Sequence, residues 1–117
     1  MLGKDARALL DLVVDDSYGL WEVGERLKQM HPDITVAEVI RLAQTTAMQL
    51  LQGGLVSVWS QASPGSEESP LAAEEAKAQL GERENWEWPS TSRPMVRLLA
   101  TEAGEHAYFS ENSQDAR

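Results

Sequence analysis

The stretch Ile34 to Gly54, ITVAEVIRLAQTTAMQLLQGG, constrains the chain most, because it carries a helix start, a consistent apolar face and a helix stop within one window. Thr35 is suited to the N-cap, and Glu38 three residues later completes a capping box in which each side chain meets a backbone N–H of the first turn. Ile34 and Val39 flank that cap as a hydrophobic staple. At 100° per residue Val36, Val39, Ile40, Ala43, Thr46, Ala47, Leu50 and Leu51 fall on one arc. Gly53 and Gly54 then provide left-handed residues that end the helix. The opposite arc carries Glu38, Arg41, Thr45, Met48, Gln49 and Gln52, and the use of that face decides between the functional readings below.

On either side of this helix the pattern is that of a single small domain. In residues 4 to 14, Ala6, Leu9, Leu10 and Val13 share a face, which predicts a first amphipathic helix. Ser17 is placed to cap a second helix from about Tyr18 to Met30, with Leu20, Val23, Gly24, Leu27 and Met30 inward and Trp21 beside them. Gly24 costs roughly 1 kcal/mol of helix propensity relative to alanine, which predicts a compensating close helix contact. His31-Pro32-Asp33 ends that helix, since proline disfavours helical backbone at the residue before it.

Beyond Gly54, Leu55 to Trp59 is β-prone and reads as a strand. SQASPGSEES at 60–69 reads as a loop, and Ser69-Pro70 as the cap and first position of a short helix through Leu80, with Gly81 as its stop. The segment ERENWEWPSTSRP has neither helical nor strand period. Its Trp86 and Trp88 read first as plugs on the surface of the core. MVRLLA at 95–100 is a second strand, and Thr101 opens a short final helix through about Phe109. Residues 1–109 thus form one domain, with 60–94 as an enlarged insertion and 110–117 as a polar tail.

The order helix, helix, helix, strand, insertion, strand, short helix, with LVSVW after GlyGly and MVRLLATEAGEHAY later, resembles a winged helix-turn-helix domain over roughly residues 4 to 109. In many bacterial members the second wing strand runs into a Leu-Thr-x-x-Gly turn. Leu99-Ala100-Thr101-Glu102-Ala103-Gly104 is similar, with one residue inserted. The resemblance implies an α+β fold with a three-helix core and a two-stranded β-wing. It departs from the pattern in a wing of about 35 residues that contains a helix, and in leaving no long C-terminal helix for dimer formation.

In such a domain the capped helix would enter the major groove, which implies DNA contacts by Arg41, Gln44, Thr45, Met48 and Gln52, with Arg93 and Arg97 at the wing. A test of that reading is whether the arginines cluster with Lys28. Charge argues against it. The chain carries a formal net charge of −9, and the insertion sets Glu67, Glu68, Glu74, Glu75, Glu82, Glu84 and Glu87 against Lys77, Arg83 and Arg93. Non-specific DNA affinity rests almost wholly on phosphate neutralisation, so a chain without a basic stripe lacks the term that brings specific contacts into play.

Chemistry is thinly provided. There is no cysteine, which excludes disulfides, thiolate metal sites and a cysteine nucleophile. His31 sits at a helix end, where the dipole favours it, and His106 lies in the closing helix; neither has a metal-ligand spacing. The pairs Asp15-Asp16, Glu67-Glu68 and Glu74-Glu75 fall in polar segments and read as solvated charges rather than catalytic carboxylates. Gly53-Gly54 lacks the lysine and the following helix of a phosphate loop. No enzyme, cofactor or metal is expected. The N-terminus lacks an apolar leader, and no apolar run approaches the ~20 residues that span a bilayer. The expected location is cytoplasmic, without membrane contact.

What remains is a surface. Large side chains, Trp21, Met48, Trp59, Trp86 and Trp88, stand in an acidic surround with Glu74, Glu75, Glu82 and Glu84, which suits a basic protein partner. The expected function is a non-enzymatic protein-interaction module. One version is an immunity or antitoxin-type protein that covers a basic toxin such as a nuclease; an adaptor that docks its insertion on a larger enzyme fits the same residues. The alternative is the DNA-binding regulator.

Overall fold

A computed structural model describes residues 2–63, 65–87 and 94–115, the last five by their backbone alone. Among them the fold is α+β, with five α-helices and a four-stranded antiparallel sheet. The order is α1 (Lys4–Val13), β1 (Tyr18–Gly19), α2 (Leu20–Met30), α3 (Val36–Gln52), β2 (Val56–Gln61), β3 (Glu68–Pro70), α4 (Ala73–Gly81), a 3-10 turn (Arg83–Trp86), β4 (Met95–Ala100) and α5 (Glu102–Asp115). The strands lie in the order β1-β4-β2-β3. No helix among the described residues is long and apolar enough to cross a membrane.

One core lies between the first three helices and one face of the sheet. Leu9, Leu10 and Val13 of α1 meet Leu20, Val23 and Leu27 of α2 and Val39, Ile40, Ala43, Ala47 and Leu50 of α3. Val56 and Val58 of β2 and Val96, Leu98 and Ala100 of β4 close it from the sheet. The alternation along β4 follows from the period of two, which points every second side chain inward. β2 and β4 run opposite one another from Val56–Ala100 to Gln61–Met95.

In α3 the Thr35 hydroxyl accepts the Glu38 N–H at 3.1 Å, as expected of the cap. The reciprocal half differs, because the Glu38 carboxylate accepts from the Thr35 hydroxyl at 3.0 Å rather than from a backbone N–H. Val36, expected inside, is 61 % exposed and lines a cleft beside α2 instead of joining the core. Of the two glycines that end α3, Gly54 takes a left-handed backbone, with φ of 75°, and Gly53 stays in the right-handed region.

Four further expectations are corrected. Ser17 does not cap α2; Tyr18 and Gly19 pair as β1 with Leu98 and Arg97, Gly19 stands at the N-cap, and its N–H is taken by the Glu22 carboxylate at 3.2 Å. Ser69-Pro70 does not start a helix. Both belong to β3, an edge strand where proline costs no ladder bond, and Pro70 lies opposite Trp59. The sheet therefore has four strands where two were expected. The last helix continues to Asp115 instead of ending near Phe109, so part of the expected polar tail is helical backbone.

The insertion is folded back onto the domain. β3 extends the sheet, and α4 buries Ala76 and Leu80. The 3-10 turn drives Trp86 inward until it is 3 % exposed, and its indole N–H donates to the Leu80 carbonyl at 2.9 Å.

Candidate functional site

Two clefts flank the 3-10 turn. The first, about 380 Å³, opens between α2, the start of α3 and the turn. Trp21, Gly24, Val36, Val39, Ile40 and Trp86 supply its apolar wall, and Glu25, Lys28, Arg83 and Glu87 its rim. The rim cations are engaged. Lys28 donates to the carbonyls of Ile34 and Pro32, which closes the end of α2, and Arg83 pairs with Glu87 at 3.6 Å. The indole of Trp21 lies over Gly19, where a β-carbon would stand 3.0 Å from two ring atoms. Gly24 differs from its expectation, for a β-carbon there would meet only the Trp86 carbonyl oxygen at 3.8 Å. No close helix contact demands the glycine, and its missing side chain leaves room in the cleft.

The second cleft, about 350 Å³, lies on the other side of the turn. It gathers three of the four candidate glutamates, Glu75, Glu82 and Glu84, around Ser60, Gln79 and Asn85, with half-buried Leu71 and buried Val96 in its wall. A chain of amides sets its geometry. Asn85 donates to the Gln79 side chain at 2.9 Å, and Gln79 donates to the Glu75 carboxylate at 3.0 Å. Glu74, the fourth, points to solvent on the first turn of α4, with Lys77 at 3.9 Å.

The residues of the DNA-contact reading are dispersed. Gln44 donates to the Leu80 and Gly81 carbonyls, both at 3.3 Å, so the end of α4 occupies its amide. Met48 is half-buried in a shallow depression with Thr45 and Gln49 against the same end. Arg41 and Gln52 are exposed. Arg97 does not join a surface patch. It is ion-paired with Glu68 at 2.6 Å, and donates to the Ser17 hydroxyl at 3.0 Å and the Ser17 carbonyl at 2.8 Å. Trp88 and Arg93 lie outside the described residues.

The histidines stand apart from both clefts. His31 closes α2 through its backbone N–H, and its ring lies 2.7 Å from Asp5 of α1, a contact between helices that the sequence did not reveal. His106 is exposed. Among the described residues no three His, Asp or Glu side chains are grouped to hold a metal ion. The clefts themselves were not legible in sequence, since each joins residues that are far apart along the chain. The one local signal was Gly24, a glycine inside a helix. Comparison with protein-family models, curated proteins and solved structures finds no match to this chain.

Proposed function

We propose that the chain is a winged-helix-like, non-enzymatic interaction module that binds a basic protein through its folded-back insertion. The observation that carries this reading is the convergence of Glu75, Glu82 and Glu84 on one cleft whose wall includes Leu71 and Val96. A lysine or arginine of the partner fits such a site in both halves, its methylene stem against the apolar wall and its charge among the carboxylates. A net charge of −9 adds long-range attraction for a basic surface. An immunity or antitoxin-type protein that covers a basic toxin is one form of this function.

The winged-helix reading draws support from the order of α1, β1, α2, α3, β2 and β4, from the antiparallel pairing of β2 with β4, and from the turn Thr101 to Gly104 that follows β4. The DNA-binding alternative loses ground at two of its residues, because Gln44 is bonded to α4 and Arg97 to Glu68 and Ser17.

The test is a pull-down with the tagged protein from a nuclease-treated lysate of its source organism, at low and high salt, with bound protein and nucleic acid both quantified. The expected result is a stoichiometric basic protein that is lost at high salt and lost when Glu75, Glu82 and Glu84 are changed to lysine. DNA enriched from an untreated lysate, without a protein partner, would favour the regulator instead.

A further inference from the structure

The acidic cleft and the apolar cleft share one wall. In the 3-10 turn and its flanks, Glu82, Glu84 and Asn85 face the acidic cleft, while Arg83, Trp86 and Glu87 face the apolar one. A ligand lying across this ridge meets both. We infer that the apolar cleft between α2, α3 and the turn is the anchor pocket for a bulky apolar side chain of the same basic partner, carried on a segment that places a lysine or arginine in the acidic cleft. This rests on the protein-binding reading proposed above and specifies its partner further.

Three features of the cleft support this occupant. Its volume of about 380 Å³ falls within the roughly 300–1,000 Å³ of clefts that enclose ligands. Its space is opened by Gly24, which no steric contact requires. At its mouth stands Val36, exposed at 61 % on a helix whose other apolar residues are mostly covered. Interfaces concentrate binding in buried anchors surrounded by a polar rim, and here the rim is Glu25, Lys28, Arg83 and Glu87. The two anions and two cations of this rim balance, so the preference for a cationic neighbour comes from Glu75, Glu82 and Glu84 across the ridge.

The experiment uses two short fluorescent peptides of equal positive charge, lysine-rich, one with a central leucine and the other with a central glycine. Binding to the full chain is followed by anisotropy at low salt. The leucine peptide is expected to bind about tenfold tighter, the range that burial of one aliphatic side chain supplies. Gly24→Leu, which fills the cleft without changing charge, should abolish that preference while leaving the glycine peptide unaffected. Val36→Ser, at an exposed position that does not disturb the core, should reduce the preference and covers the case in which Gly24→Leu fails to fold.

Equal affinity for the two peptides, or a preference that survives both variants, would overturn the anchor pocket while leaving the acidic reading standing. Peptide binding that is indifferent to Glu82→Lys and Glu84→Lys would overturn the acidic reading itself. Self-association of the free protein that Gly24→Leu abolishes, without peptide discrimination, would assign the cleft to a second copy of the chain and overturn the inference.

Discussion

Gly104 of α5 lies so close to Leu55 that a β-carbon on it would stand 1.9 Å from the Leu55 carbonyl oxygen. The same carbonyl accepts the Thr101 N–H at 3.0 Å, while the Thr101 hydroxyl donates to Gly54 O at 2.6 Å and accepts the Gly104 N–H at 3.1 Å. Thr101 and Gly104, just beyond β4, thus clamp the turn that leaves α3. This gives the Thr-x-x-Gly pattern a physical reason: threonine caps α5 and binds the turn, and glycine permits the helix to approach it.

Gly104→Ala is therefore expected to destabilise the protein by about 1–3 kcal/mol, the range for overpacking against atoms that cannot easily yield. The opposing atoms here are backbone, so relief requires displacement of α5 from the turn. Urea denaturation followed by far-UV circular dichroism measures the change, and an unaltered midpoint would refute the close approach.

Gly24→Ala has the opposite expectation. A β-carbon there makes an ordinary contact at 3.8 Å, and alanine in a helix interior is favoured over glycine by about 0.8–1 kcal/mol. A rise in the denaturation midpoint is expected from the same assay. A fall comparable to that of Gly104→Ala would mean that Gly24 is needed for packing, and the space it leaves would lose its functional meaning.

The contrast between these glycines shows what the sequence conveyed. α3 was readable because the Thr35 cap, the buried stripe from Val39 to Leu50 and the Gly54 stop are local signals that agree. β1 was hidden because two residues carry no period, and what makes Tyr18 and Gly19 a strand is their pairing with Leu98 and Arg97 far along the chain. Ser69-Pro70 misled for a related reason: the same dipeptide suits a helix start and an edge strand, and the exposed edge of β2 decided between them. The glutamates of the acidic cleft were visible as charge. Their convergence was not, since it depends on α4 folding back against α3 and β2.

Arg97→Met separates a structural role from a DNA-contact role. Arg97 links β4 to Ser17, and through Glu68 to the insertion. Its loss leaves the Ser17 carbonyl without that donor and Glu68 without its cation. A loss of about 1–2 kcal/mol is expected, at the lower end for charged hydrogen bonds because both side chains retain some solvent contact. A double-mutant cycle with Glu68→Gln should show non-additivity. Full additivity would mean that the pair does not hold the insertion in place.

Charge reversal at Glu75, Glu82 and Glu84 is expected to act on the association rate more than on dissociation. Opposite charges steer encounter before contact, and rates fall steeply as salt screens the field. Once the basic partner is identified, stopped-flow mixing at low ionic strength should show association slowed by about tenfold or more when these residues become lysine. Near 1 M salt, where the screening length shrinks to about 3 Å, the rates of native protein and variant should converge. Reversal of Glu102 and Glu105, exposed on α5 and not among the residues that line the acidic cleft, changes net charge without altering that lining. An equal effect from Glu102 and Glu105 would show that overall charge governs encounter, and would remove the acidic cleft as the docking point.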